Sequence, residues 1–177
     1  MKFIKTPLQD VLQIELEKIE DNRGFFARSF CVNEFKDMNL CINFLQANIS
    51  YNKEAGTLRG MHYQISPYDE VKLVNCINGS IFDVAVDLRK DSSTYLNWFG
   101  CDLTETNHKA LYIPSGFAHG YQTLEPNTSV SYMVSNIYSP SHERGIRYDD
   151  PRVNIKWPLP ITDMSAKDRD RNALDTD

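Results

Sequence analysis

Only four histidines and four cysteines occur in the 177 residues, and no two cysteines stand in a CxxC spacing. Cys31, Cys41, Cys76 and Cys101 are widely separated, which argues against a zinc or disulfide framework and for a reduced chain with ordinary thiols. The sequons at Asn48, Asn78 and Asn127 carry little meaning in such a chain. A basic excess is also missing. The formal net charge is -5, which excludes a general nucleic-acid binder, since that role needs a cationic surface to displace counterions from phosphates. No apolar run is long enough for a membrane helix. The start, Met1-Lys2-Phe3-Ile4-Lys5, is not followed by the apolar stretch of a secretory signal. The expectation is a cytoplasmic protein with no nucleic-acid or membrane partner. Repeats, low-complexity segments and Pro/Gly/Ser-rich linkers are absent too, so residues 1–177 are expected to form a single domain.

What is present is a series of short apolar runs rich in β-branched and aromatic residues, divided by turn signals. Thr57–Gln64, Val71–Ile77, Ile81–Leu88, Ala110–Ile113 and Ser129–Ile137 are examples. Asn78-Gly79 between two of them predicts a tight hairpin, because a type I′ turn needs positive φ at both central residues. In Ile81–Leu88 the period is two. Phe82, Val84, Val86 and Leu88 form a predicted core face; Ile81, Asp83, Ala85 and Asp87 are expected to meet water or a polar cavity. Helical signal is thin: one or two turns capped by Asn33, and a short helix capped by Ser165. Many short strands with turns between them predict a sandwich or barrel.

Candidate chemistry centres on His62 in Arg59-Gly60-Met61-His62-Tyr63-Gln64 and His119 in Ile113-Pro114-Ser115-Gly116-Phe117-Ala118-His119-Gly120. His108 and His142 sit in polar turns and read as solvated residues. A metal site in a small β-barrel would want a second histidine two positions after His62; Gln64 stands there, so no metal is expected. On spacing alone His62 is either a half-buried histidine with its bonds satisfied or a reactive group. Lys72, between Val71 and Leu73, either faces solvent or points inward to meet an anion. Tyr132 has the same ambiguity, since most strand tyrosines are packing residues with a satisfied hydroxyl. Gly120 leaves room beside His119 for something to approach.

Taken in order, several of these segments resemble one family, the dTDP-4-dehydrorhamnose 3,5-epimerases, sugar-nucleotide epimerases of the cupin-like jelly roll. The matching runs are Asp21-Asn22-Arg23-Gly24-Phe25-Phe26, Gln46-Ala47-Asn48-Ile49-Ser50, Leu58–Gln64, Lys72-Leu73-Val74, Asp83–Arg89, Ile113–Gly120, Tyr132, Asp149-Asp150-Pro151, Trp157-Pro158 and Ser165-Ala166-Lys167-Asp168. Each is weak alone; the ordered set spans nearly the whole chain. The resemblance implies an all-β, cupin-like jelly-roll sandwich or barrel with a few short helices. It implies a cofactor-free epimerase of a nucleotide-linked 4-keto-6-deoxy sugar.

In that reading His62 is the base, Asp168 fixes its tautomer, Lys72 stabilises the enolate oxygen at C4 and Tyr132 is the acid on the opposite face. His119, supported by Asp83, would line the sugar pocket. Arg59 and Arg23 would hold the diphosphate, and Phe26 would pack on the base. Gln46, Asn48, Glu143 and Lys167 match substrate-contact positions. The family's Arg23 and Phe26 reach into a partner's site, so the resemblance implies a homodimer. Two positions depart from the pattern. Arg28 stands where the family usually has a carboxylate that helps define the base site, and Met61 stands for leucine or isoleucine, a volume-conserving change. Arg28 leaves open a different base or sugar. Also open are an epimerase acting only at C3 or only at C5, a CDP or GDP sugar, a 3,4-ketoisomerase, and a non-catalytic sugar-nucleotide binder.

Overall fold

A computed structural model describes residues 1–174; the last three residues of the expected domain lie outside the described residues. Among the described residues thirteen strands and two short helices are formed. The strands are β1 (Lys2–Lys5), β2 (Leu12–Glu15), β3 (Lys18–Asp21), β4 (Gly24–Ala27), β5 (Gln46–Asn52), β6 (Leu58–Gln64) and β7 (Lys72–Asn78). They continue with β8 (Ser80–Asp87), β9 (Trp98–Thr104), β10 (Ala110–Ile113), β11 (Phe117–Thr123), β12 (Thr128–Val134) and β13 (Glu143–Gly145). The helices are α1 (Val32–Asp37) and α2 (Ala166–Arg169).

Two antiparallel sheets form the sandwich. One has the order β1-β2-β10-β7-β12-β5, the other β13-β6-β11-β8-β9, and β3-β4 is a separate hairpin. Between the sheets lies a core that includes Val74, Ile81, Ala85, Leu103, Leu111 and Val130. A second apolar layer covers the outside of the five-stranded sheet, where Met61, Val84 and Val86 pack beneath Ile146, Val153 and Ile155. A third lies where Phe35 of α1 meets Ile14, Leu73 and Tyr112. This is the all-β, cupin-like jelly-roll architecture expected.

Three local expectations need correction. Asn78-Gly79 does not close a hairpin. Gly79 alone has positive φ (77°), and the turn carries the chain from β7 in one sheet to β8 in the other. A Cβ on Gly79 would lie 2.4 Å from the Thr128 hydroxyl, so glycine is required by the tightness of that corner. The faces of β8 are also reassigned. Ile81, Asp83, Ala85 and Asp87 point into the inter-sheet core and are completely buried, whereas Phe82, Val84 and Val86 face the outer layer. A strand covered on both sides cannot reveal by alternation which side is the interior. Finally, α1 starts two residues earlier than expected, with Cys31 in place of Asn33 as a cap that makes no side-chain bond. Packing of the fully buried Phe35 against Phe3, Phe30 and Phe44 sets this helix, and not Asn33. Ser165 does cap α2, accepting the Asp168 N–H at 3.1 Å.

Asp87 is tolerated in the core because five donors surround it. Arg89 donates from its backbone N–H, Nε and Nη2 at 3.0, 2.9 and 2.8 Å, and Ser92 and Thr94 donate hydroxyls at 2.6 and 2.7 Å. Burial alone would raise this carboxyl, but the Arg89, Ser92 and Thr94 bonds hold it at about 2, below its ordinary 3.8. Asp87→Ala removes one partner of a buried pair and is expected to cost about 3–5 kcal/mol. The wild-type contribution is fully present above pH 3.8 and is lost as pH falls toward 2, because the depressed group takes up its proton only there. Urea unfolding at pH 7 and pH 2 measures both effects; a loss under about 1 kcal/mol at pH 7 would show that the clamp contributes little.

Candidate active site

The sandwich opens at one end into a cavity of about 730 Å³, within the size range of small-molecule sites. Its walls come from both sheets. The six-stranded sheet supplies Gln46, Asn48 and Ser50 from β5, Lys72 from β7 and Tyr132 from β12. On β5 these inward polar residues alternate with the outward-facing, exposed Ala47, Ile49 and Tyr51. The opposing sheet supplies Arg59 and His62 from β6, His119 from β11 and Glu143 from β13. Helix α2 closes the rim with Lys167 and Asp168.

The two histidines are placed by backbone. His119 and His62 are direct register partners, and the ladder shifts just after His119. Gly60 and Gly120 allow this close approach: a Cβ on Gly60 would lie 2.5 Å from the Gly120 Cα, and one on Gly120 would lie 2.6 Å from the Met61 Sδ. The space beside Gly120 is therefore filled by β6 and is not an approach for ligand, contrary to the sequence expectation.

His62 Nε2 meets Asp168 Oδ1 at 2.5 Å. Asp168 is buried while the His62 side chain is 36% exposed, so the carboxylate is shielded and the imidazole faces the cavity. Burial pushes the Asp168 carboxyl up; the His62 bond, with the Gly60 N–H and Ser165, more than offsets this and holds it below the ordinary value. An ionised carboxylate only accepts, so Nε2 carries a proton, and in the neutral ring Nδ1 then presents the lone pair. Beside it, His119 Nε2 meets Asp83 Oδ1 at 2.7 Å. Asp83 is completely buried and does not line the cavity. It supports His119 from behind, as the resemblance implied, and is not itself placed to touch substrate.

Across the cavity the Tyr132 phenol is raised, chiefly by burial, with nearby Tyr121 and Glu70 adding to the shift. It remains protonated at neutral pH and can give up a proton. The Lys72 ammonium, 9% exposed, contacts the Glu70 carboxylate. Arg59 is braced by Asn52 Oδ1 at 2.7 Å and the Tyr51 carbonyl at 3.3 Å. At the rim, Glu143 accepts from Lys167, Arg171 and the Tyr138 hydroxyl at 2.5, 2.5 and 2.6 Å. Burial would raise the Glu143 carboxyl, but those three donors hold it at about 2.

Three expected contacts lie elsewhere in this chain. Arg23, whose side chain is 85% exposed, pairs with Asp21 at the tip of the β3-β4 hairpin. Phe26 is exposed on the same hairpin, and Arg28 follows it, 3.5 Å from Glu34 of α1. Conversely, Glu70, Tyr121 and Tyr138 line the cavity although nothing in the sequence singled them out. Glu70 sits in the polar turn Tyr68-Asp69-Glu70, which reads as solvated, and Tyr138 lies in an irregular segment without periodicity. Among the described residues no group of three or more His, Cys, Asp or Glu gathers in a way that could hold a metal ion. No helix among them is long and apolar enough to cross a membrane.

A jelly roll whose end cavity pairs a carboxylate-oriented imidazole with a phenol on the facing sheet defines a carbohydrate epimerase, an enzyme of the isomerase class. Residues 5–176 match the family model for dTDP-4-dehydrorhamnose 3,5-epimerase, and the chain belongs to that family. It is 43% identical over 169 residues to the dTDP-4-dehydrorhamnose 3,5-epimerase of Shigella flexneri, covering 95% of this chain and 93% of that one. The crystal structure of the Bacillus anthracis enzyme of the same name, with TDP and PPi bound, superposes with a TM-score of 0.93 at 42% identity, covering 98% and 99% of the two chains. A 3,5-epimerase of Legionella pneumophila in complex with dTDP-4-keto-L-rhamnose gives 0.89 at 37% identity, covering 94% and 89%.

Proposed function

We propose that the protein epimerises a nucleotide-linked 4-keto-6-deoxy sugar, a dTDP sugar first among them, at both C3 and C5. The C4 ketone acidifies the hydrogens on its two neighbouring carbons. His62 Nδ1 removes one of them, and the electron pair moves onto the C4 oxygen as an enolate. The Lys72 ammonium meets that negative charge, and Tyr132 returns a proton to carbon from the other face. The charge and proton count balance without a metal or a redox partner. The observation that carries this reading is that His62, oriented by Asp168 of α2, and Tyr132 enter one cavity from opposite sheets, as inversion at carbon requires. Arg59 is suited to the diphosphate, and Gln46, Asn48, Glu143 and Lys167 to the rest of the substrate.

We further propose a single-domain, cytoplasmic homodimer that supplies activated deoxysugar for surface polysaccharide such as O-antigen. The β3-β4 hairpin supports the dimer. An isolated two-stranded hairpin is marginal in water, yet this one exposes Ile19 and Phe26 at paired positions, 71% and 65% accessible. Inserted into a second copy, it would bring Arg23 of the partner subunit and Phe26 of the partner subunit to the cavity.

Incubating the protein in heavy water with dTDP-4-keto-6-deoxyglucose tests the function by NMR. Label at both C3 and C5 is expected. Label at one position would make it a single-site epimerase, and absence of exchange with any 4-keto nucleotide sugar would leave a non-catalytic binder.

A further inference from the structure

We propose that Glu70 is a specificity-determining residue that accepts a hydrogen bond from the hydroxyl on C3 of the sugar. The inference rests on the epimerase reading, in which Lys72 meets the C4 oxygen. Glu70 is 10% exposed and lines the cavity just before β7. Its Oε1 accepts from the Lys72 ammonium, and its Oε2 accepts from Gln64 Nε2 at 3.2 Å. Gln64 is itself held on other sides: its Nε2 also lies 2.9 and 3.1 Å from the carbonyls of Tyr68 and Ile137, so its two hydrogens are shared among three acceptors, and its Oε1 accepts the Ser139 N–H at 2.6 Å. The Glu70 carboxylate is thus held in the cavity by Lys72 at one oxygen and by a shared Gln64 donor at the other.

A carboxylate only accepts, and each of its oxygens takes more than one donor. Lys72 and Gln64 leave acceptor capacity unused, and a desolvated anion stands to gain from a further donor. The group bound next to Lys72 supplies it. With the C4 oxygen on the ammonium, the Glu70 carboxylate on that same ammonium lies within hydrogen-bond reach of a hydroxyl on an adjacent carbon. Of the two carbons beside C4, C3 carries a hydroxyl. C5 carries the ring oxygen and the C6 methyl, neither of which can donate. The Lys72–Glu70 pair therefore matches a ketone with a neighbouring hydroxyl: donor to the carbonyl, acceptor for the O–H. A sugar lacking that hydroxyl leaves a buried anion facing carbon.

The test pairs two substrates with two proteins, the nucleotide-linked 4-keto-6-deoxy sugar and its 3-deoxy analogue against wild type and Glu70→Ala. The readout is solvent exchange at C5, a position both sugars possess. Wild type is expected to lose about 10- to 100-fold in kcat/KM on the 3-deoxy sugar, the range for a hydrogen bond to a charged group. Glu70→Ala is expected to treat the two sugars alike within about twofold, since its penalty and the sugar's are the same lost bond. An undiminished 3-deoxy penalty in the variant overturns the assignment while leaving the epimerase reading intact. A wild type inert towards both sugars overturns both. Should Glu70→Ala fail to fold, Glu70→Gln, of the same shape but uncharged, is expected to shrink the penalty; an unchanged penalty there overturns the assignment equally.

Discussion

Replacing His62 with alanine is expected to lower exchange of the C3 and C5 hydrogens with solvent by about 10²- to 10⁴-fold, the range over which a positioned acid–base group acts. The effect should be large because nothing nearby can substitute. The ring is oriented by Asp168 at 2.5 Å, and Asp168 is in turn held by the Gly60 N–H at 3.4 Å and by Ser165. His119, the other imidazole in the cavity, is tied to a separate buried carboxylate on another strand. Substrate binding should persist, because Arg59, Gln46 and Asn48 are untouched. Measuring nucleotide-sugar affinity beside exchange separates the two. Wild-type exchange in His62→Ala would remove His62 from the reaction.

Tyr132→Phe is expected to divide the reaction. Label should still enter from solvent, since His62 can remove a proton and return a deuteron to the same face. Inverted product should fall by about 10²-fold or more, because the other face has lost its acid. Burial holds the Tyr132 phenol above its ordinary value, which keeps it in the donating form but makes it a weaker acid, so its placement matters more than its acidity. Chiral analysis of product alongside label incorporation reads both quantities. Equal losses in exchange and inversion would show that Tyr132 serves binding or packing and is not the second-face acid. The phenylalanine keeps the ring that packs against the inter-sheet core, so stability should change little.

Much of this site was legible along the chain, though unevenly. His62, Lys72, Tyr132 and Asp168 stood in recognisable motifs, and the structure brings all four to one cavity. The capping serine before Asp168 was readable because capping is a local bond across three residues. Other features resisted reading. The Asn78-Gly79 pair signalled positive φ correctly at the glycine, but a turn does not state which strand it leads to. Asp83 looked like a polar-face residue and proved to be wholly buried, since alternation separates two faces without saying which one another sheet will cover. Nothing in the sequence marked Glu70, which the fold alone sets against Lys72 and Gln64.

By itself the sequence determined a β-rich sandwich with two short helices, a chain without a membrane helix, and a set of motifs in family order. These follow from alternation, turn chemistry and residue identity over a few neighbours. The tertiary structure alone decided which groups act together. His62 and Asp168 lie 106 positions apart, and Asp83 and His119 lie 36 apart. The role of a carboxylate or an ammonium depends on what it faces and on how far water is excluded. Both are set by residues distant in the chain, meeting only when the two sheets close on each other.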